Sequence, residues 1–252
     1  MLNVIISGIN GRMGKAVENA CNADRDVCIV GGLDVSLGTA HDFPTANDPF
    51  SLGVKADVII DFSHHTGSPR LCEYAAQTGT ALVLATTGHT PEELQTVSAC
   101  AEKTAMFTSA NMSVGVNLLI ELAKKAAAVL EGFDIEIIEK HHGQKLDAPS
   151  GTALMLADGI RTVRPALSYV YDRTDRRAVR PENELGIHSV RGGTIVGEHD
   201  VLFAGKNEVI TLSHTAQSRE VFANGALQAA KFLVKQTPGM YHMSDMVSQF
   251  EV

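Results

Sequence analysis

The apolar residues of this chain fall into two regimes. In the first, short apolar runs at 2–7, 27–33, 57–62, 81–86 and 105–108 are separated by polar or glycine-bearing stretches, with helix-forming segments at 67–77 and 91–101. Runs without alternation suit strands buried on both faces, and strands that alternate with helices predict a parallel, doubly wound α/β sheet. In the second regime Phe133-Asp134-Ile135-Glu136-Ile137 alternates apolar with acidic residues, the period of a half-buried strand. Further strands are predicted at 186–191, 199–204 and 208–213, with one helix at 151–163, which makes a mixed α+β segment dominated by a sheet. A long helix over 114–130, capped by Ser113, divides the regimes, and an amphipathic helix over 218–235 follows them.

Composition sets bounds on this picture. A chain of 252 residues, 44% hydrophobic, can bury a sizeable core as one large or two small domains, and the change of pattern argues for two. Cys21, Cys28, Cys72 and Cys100 form no Cys-x-x-Cys pair, so reduced thiols are expected rather than disulfides or zinc ligands. The first residues open directly into a strand, and no apolar run approaches a membrane span, so a cytoplasmic protein is expected. A formal charge of −8 opposes nonspecific contact with nucleic-acid phosphates while leaving room for a local basic pocket. The basic, proline-flanked stretch from Arg173 to Arg180 reads as a solvated loop.

The first turn carries candidate chemistry. Gly8-Ile9-Asn10-Gly11-Arg12-Met13-Gly14 follows the opening strand and precedes a helical run, which is the setting a dinucleotide fingerprint requires. Glycines permit the tight turn and let a pyrophosphate approach the helix N-terminus, where backbone N–H groups can bind it. Asn10 stands where a second glycine is usual, giving G-x-x-G-x-x-G. Asp34 ends the second strand about twenty residues later, the place from which an acid can bond the hydroxyls of an adenosine ribose. The predicted class is therefore a Rossmann-type doubly wound sheet with a second α+β domain. A structural glycine turn beside a surface aspartate would account for the same residues without a ligand.

A denser cluster lies at the change of regime. Glu139-Lys140-His141-His142-Gly143-Gln144-Lys145-Leu146-Asp147-Ala148-Pro149-Ser150-Gly151-Thr152-Ala153 places two imidazoles, an ammonium and a helix start within one segment, an anion site beside a proton donor. Pro149 and Ser150 lead into a good helix-forming run, so the N–H groups of Gly151 and Thr152 would stand at the positive end of a helix and could hold a carboxylate. A single histidine at a strand end is more often structural than catalytic. The group of three on a loop has no evident packing purpose. A zinc site is the rival chemistry, but the spacing is not His-Glu-x-x-His and no cysteine pair completes a ligand set, so no metal is expected.

Together with Gly186-Ile187-His188-Ser189-Val190-Arg191-Gly192-Gly193-Thr194-Ile195-Val196-Gly197-Glu198-His199, these signatures resemble the dihydrodipicolinate reductases, also called 4-hydroxy-tetrahydrodipicolinate reductases, of bacterial lysine and diaminopimelate biosynthesis. The resemblance covers nearly the whole chain. It includes Ala85-Thr86-Thr87-Gly88, Ser109-Ala110-Asn111-Met112-Ser113-Val114-Gly115-Val116-Asn117 and Ser218-Arg219-Glu220-Val221-Phe222-Ala223-Asn224-Gly225-Ala226. Ala85 is a departure, since many relatives carry glycine before the two threonines.

The resemblance implies an NAD(P)H-dependent reduction of 4-hydroxy-tetrahydrodipicolinate, by way of dihydrodipicolinate, to tetrahydrodipicolinate. His141 would donate the proton and Lys145 stabilise the developing negative charge, while His142, Lys145, Gly151 and Thr152 hold the small dicarboxylate substrate. Gly8, Asn10, Gly11, Arg12, Met13 and Gly14 would take the pyrophosphate and adenosine and Asp34 the ribose. Ala85, Thr86, Thr87, Ser109, Ala110, Asn111 and Met112 would form the nicotinamide side. The last helix would return to the first domain, dividing the chain into a dinucleotide-binding domain of 1–110 plus 218–252 and a substrate-binding, tetramerising domain of 111–217. Hinges are expected near 109–111 and before Ser218, and a homotetramer is expected, with neither nucleic acid nor membrane as partner. Asp34 bonds hydroxyls well and repels a 2′-phosphate, and Val35-Ser36-Leu37-Gly38 offers no base, so use of both NADH and NADPH is expected with NADH slightly favoured. Arg12 and Lys15 could compensate. Three alternatives remain: another nicotinamide oxidoreductase of this architecture, a non-catalytic dinucleotide sensor, and a metal-dependent hydrolase using His141, His142, His188 and His199.

Overall fold

The computed structural model describes residues 1–250; residues 251 and 252, included in the expected first domain, lie outside the described residues. The chain forms two compact units, one of Met1–Val114 with residues 220–250, the other of Gly115–Arg219.

The first unit is built on β1 (Leu2–Ser7), β2 (Val27–Leu33), β3 (Thr45–Ala46), β4 (Val58–Asp61), β5 (Ala81–Leu84), β6 (Ala105–Thr108) and a late strand, Gly239–Tyr241. All pair in parallel, in the order Gly239–Tyr241, β6, β5, β4, β1, β2, β3. Val4, Ile5 and Ile6 of β1 and Val58, Ile59 and Ile60 of β4 are wholly buried. One face of this sheet packs on α1 (Arg12–Asn22) and the helix Glu220–Leu233, through Val17, Cys21, Ala226 and Ala230. The other face packs on α2 (Ser68–Thr78) and α3 (Pro91–Ala101), through Leu71, Ala75 and Val97. Cover on both faces is the physical reason these strands read as apolar runs without alternation. Chain order reverses beside β1, and in sheets of this kind ligands bind outside the carboxyl ends of the strands at that reversal. Local signals fix the helices: Thr90 and Glu93 close a capping box around Pro91 at the start of α3, and α2 stops at Gly79, which has a left-handed φ of 72°.

The second unit carries α4 (Val114–Val129), β7 (Asp134–His141), α5 (Gly151–Val163), β8 (Ser168–Val170), β9 (Glu184–Arg191), β10 (Gly197–Ala204) and β11 (Val209–Ala216). The strands form one mixed sheet in the order β11-β10-β7-β9-β8, with β7 antiparallel to β10 and parallel to β9. Burial alternates residue by residue along β7 and β10. Ile135, Ile137, Val201, Phe203, Leu185 and Ile187 form the inner face against Leu156, Ala157 and Ile160 of α5 and Leu119 and Ala123 of α4. The same inward phase continues past the apolar residues to Glu139 and His141 on β7 and His199 on β10, so polar groups occupy the end of a core-facing row.

Three short strands were not expected, because segments of two or three residues carry no readable period. The stretch from Arg173 to Arg180 is a loop with residues 174–179 exposed, as expected, but three of its arginines are tied down. Arg173 and Arg176 pair with the buried carboxylate of Glu184, and Arg180 bonds Asp134 at 2.6 Å, Glu136 at 2.9 Å and the carbonyl oxygens of Ile135 and Glu184. A run of like charge reads as solvated only while its partners, distant in sequence, are out of view. All four cysteines are free thiols, and among the described residues no helix is long and apolar enough to cross a membrane.

Candidate active site

In the first unit, the turn between β1 and α1 is a cradle with no space for a side chain at its glycines. Gly8 has φ of 79°, and a Cβ there would lie 2.8 Å from the Phe62 carbonyl oxygen; a Cβ on Gly14 would lie 2.1 Å from the Gly8 oxygen and 2.7 Å from Ile9 Cα. Gly11 caps α1 without a side-chain hydrogen bond, so no side chain of the cap competes for the first-turn amides at the positive end of the helix. Asp34 stands just beyond β2, its two carboxylate oxygens accepting from the backbone N–H groups of Asn10, at 3.0 Å, and Ser36, at 3.0 Å. These residues fit the pyrophosphate and ribose of a dinucleotide.

Asn10 does more than replace a glycine. Its side chain donates to the Ser36 carbonyl oxygen and lies 3.0 Å from Nε2 of His41, whose ring stacks on Phe43 with centroids 4.9 Å apart. The segment after β2 is thereby tied to the glycine turn. His41 escaped sequence reading because it follows a polar, glycine-bearing stretch without periodicity.

Thr86, Thr87, Ser109 and Ala110 line a common cavity of about 620 Å³ together with Gly88 and His242. The Thr86 hydroxyl donates to the fully buried Asp61 at 2.6 Å, and Asp61 also accepts from the Ser63 hydroxyl at 2.6 Å. That carboxylate locks the ends of β4 and β5 and gives Thr86 a structural duty. Ser109 Oγ donates to the Asn111 carbonyl oxygen at 2.8 Å, shaping the turn after β6, where Asn111 and Met112 are buried. Ala85 follows β5, its N–H donating to the Asp61 carbonyl oxygen at 3.0 Å.

In the second unit, β7 delivers His141 and the following loop delivers His142 and Lys145 before α5 begins at Gly151. Lys145 Nζ lies 2.8 Å from Asp147 Oδ1 and is close enough to His141 for its charge to lower the ring's pKa. Ser150 caps α5, its Oγ accepting from the Ala153 N–H at 3.1 Å. The amides of Gly151 and Thr152 stand in the first turn beside it.

Two residues without an assigned role complete this cluster. Glu139, wholly buried, accepts from His141 Nδ1 at 2.6 Å, from the Ser150 N–H at 3.1 Å and from both terminal nitrogens of Arg191, at 2.8 and 2.6 Å. Burial acts to raise its pKa, but hydrogen bonds from Arg191, Ser189 and His141 prevail and hold it at about 2. His199 packs edge-on against His141, ring centroids 5.2 Å apart, with Nε2 2.9 Å from Ser150 Oγ. For His141, burial acts to lower the pKa, Glu139 acts to raise it, and the balance falls below the ordinary histidine value. The signal for Glu139 and His199 was present in the alternation: both take the inward phase of their strands, where an apolar residue is expected. His188 takes the outward phase and bonds Glu136 at 2.8 Å, so the four histidines of the hydrolase alternative do not converge. Among the described residues no group of three or more histidine, cysteine or acidic side chains is arranged to hold a metal ion.

A glycine cradle and acid at the reversal point of a parallel sheet, with a histidine–lysine cluster on an appended α+β unit, define a two-domain oxidoreductase of the Rossmann class. Residues 2–112 match the family model for the N-terminus of dihydrodipicolinate reductase, and residues 115–247 match that for its C-terminus. The chain belongs to the dihydrodipicolinate reductase family, which uses a nicotinamide cofactor. It is 54% identical over 250 residues to the 4-hydroxy-tetrahydrodipicolinate reductase of Caldanaerobacter subterraneus subsp. tengcongensis, covering 99% of each chain, and 44% identical to that of Clostridium tetani, covering 98% of each. Its fold is similar to a dipicolinate-bound dihydrodipicolinate reductase from Paenisporosarcina sp. TG-14, with TM-score 0.84, 28% identity and coverage of 98% of this chain and 99% of that one.

The buried polar row gives the second unit a defined acid sensitivity. Burial, then the charge of His141, pushes His199 down to about 4, so its stabilising effect is present above the unfolded value near 6.5 and is lost as pH falls through about 4. Glu139 adds a further loss between its ordinary 4.5 and about 2. Urea denaturation should show stability dropping by on the order of 2 to 3 kcal/mol between pH 6.5 and 4, with a clearly smaller drop in His199→Gln. Equal slopes in the two proteins would remove His199 as the cause.

Proposed function

We propose that this protein catalyses the nicotinamide-dependent reduction of 4-hydroxy-tetrahydrodipicolinate, through its dehydrated form dihydrodipicolinate, to tetrahydrodipicolinate in the cytoplasmic route to diaminopimelate and lysine. The observation that carries this reading is the gathering of His141 at the end of β7, Lys145 on the loop after it and the start of α5, in a chain whose two parts match the two parts of the reductase family. The first unit is the dinucleotide-binding domain and the second binds substrate.

When bound, the nicotinamide supplies a hydride for C4 of the conjugated cyclic imine. The chain's own residues manage the charge and the proton that accompany it. Lys145 places an ammonium against the negative charge that develops as electrons move toward the ring nitrogen, an interaction stronger in a water-poor site than in bulk solvent. His141, in its protonated form, gives a proton to the carbon beside the reduced centre. His142 and the amides of Gly151 and Thr152 hold a substrate carboxylate at the positive end of α5. Gly8, Asn10, Gly11, Arg12, Met13 and Gly14 receive the pyrophosphate end of the cofactor, Asp34 its ribose, and residues 85–87 and 109–112 its nicotinamide end.

Oxidation of the cofactor followed at 340 nm, with substrate made from aspartate semialdehyde and pyruvate by the preceding synthase, tests the reaction. His141→Gln should lower kcat far more than it changes cofactor affinity, because proton delivery is needed only in the transition state. Lys145→Ala should lose at least about a hundredfold in kcat/KM. Near-normal kcat in His141→Gln would remove that residue from the role.

Both cofactors should support turnover, with the lower KM for NADH, because Asp34 offers its carboxylate where a 2′-phosphate would lie and the charges of Arg12 and Lys15 offset it only in part. Steady-state kinetics with each cofactor measures this. A preference for NADPH that vanishes in Arg12→Ala would reverse the assignment.

The assembly is a homotetramer formed through the second unit's sheet. Support comes from the sheet face turned away from α4 and α5, which carries half-buried Ile138 and Leu202 and exposed Val190 and Val209. Light scattering should report four chains, and a monomer at working concentration would defeat this assignment.

A further inference from the structure

We propose that Glu139 is the positioning residue of this site: clamped by Arg191, it holds the Nδ1–H of His141 so that the transferred proton leaves only from Nε2, and it ties the anion-holding start of α5 to the same strand. This rests on the reading of His141 as the proton donor.

The Glu139 carboxylate is the fixed acceptor. A carboxylate that stays ionised offers only acceptors, so a ring nitrogen 2.6 Å away must present a hydrogen to it. His141 Nδ1 therefore keeps its proton whether the ring is neutral or charged, and the proton that comes and goes is on Nε2. The geometry leaves Glu139 little freedom to do otherwise. Arg191 grips both of its oxygens in the forked arrangement that fixes a carboxylate plane, and Arg191 also donates to the Asp147 carbonyl oxygen at 2.8 Å, next to the loop that carries Lys145.

Space has been kept beside the working nitrogen. A Cβ on Gly197 would lie 3.0 Å from His141 Nε2 and 3.4 Å from its Cδ2, so any side chain there would press on the ring edge that carries the proton. The Ser150 N–H that reaches Glu139 belongs to the residue whose hydroxyl caps α5. A single carboxylate thus sets the position of both the proton donor and the helix start that receives the substrate's carboxylate.

The direct test is nitrogen NMR of the wild-type protein labelled with ¹⁵N-histidine, the His141 signals being assigned by their loss in His141→Gln. Neutral His141 should be the Nδ1–H tautomer, with Nε2 unprotonated. Glu139→Gln should move the His141 titration to lower pH and lower kcat by at least about tenfold, with the basic limb of the kcat profile moving the same way and cofactor affinity unchanged. Should Glu139→Gln fail to fold, the wild-type tautomer alone decides. An Nε2–H tautomer in active wild-type protein would overturn this proposal and leave the proposed reaction standing, as would a folded Glu139→Gln whose His141 titration and kcat are unaltered. Wild-type protein without turnover would overturn both.

Discussion

Burying the Glu139 carboxylate at the end of β7 obliges the surrounding chain to supply donors, since an isolated charge out of water is costly enough to force either neutralisation or unfolding. The donors come from three separate places: Arg191 and Ser189 near the end of β9, Ser150 at the start of α5, and His141 two residues along β7 itself. Removing one partner from such a pair typically costs about 3–5 kcal/mol, because the charge left behind remains buried. The strand pairing that sets Glu139 opposite Ser189 on β9 and His199 on β10 is therefore held by polar as well as apolar forces. Arg191 and His141 occupy the next inward position of the same two strands, in register with each other. A one-residue slip of β7 would turn the acid and the histidine out of the core together, and a slip of β9 would turn out the guanidinium that holds them.

The first unit uses a similar device on a parallel sheet. Asp61, wholly buried at the end of β4, gathers Ser63 and Thr86, while Asp34 gathers Asn10 and Ser36 beside the glycine turn. In each case an acid at a strand's carboxyl end orders the loops around it. This explains why the two threonines after β5 are not equivalent: the hydroxyl of Thr86 has a structural partner in Asp61.

Much of this was legible along the chain. The apolar runs of β1, β4 and β5 announced a sheet covered on both faces, and the helix-forming segment 91–101 coincides with α3. The glycine turn and the His-His-x-x-Lys segment were visible because each is contiguous. What stayed hidden was pairing across distance. Glu139 lies 52 residues from Arg191, and Arg180 lies 44 residues from Glu136, so no local pattern joins them. Strand phase did hold a clue, for Glu139 and His141 follow Ile135 and Ile137 in strict alternation, and a charged residue in the inward phase signals a buried partner. His41 carried no such signal, because its position depends on the loop that Asn10 closes.

In the proposed reaction hydride reaches the substrate from the nicotinamide while the proton comes from a residue in exchange with solvent. It is tested most directly with cofactor carrying deuterium in both C4 positions, in ordinary water, with the product examined by mass spectrometry and NMR. The product should carry a single deuterium, at C4 of tetrahydrodipicolinate, with ordinary hydrogen at the neighbouring carbon. A product free of deuterium, formed while the cofactor is consumed, would contradict it.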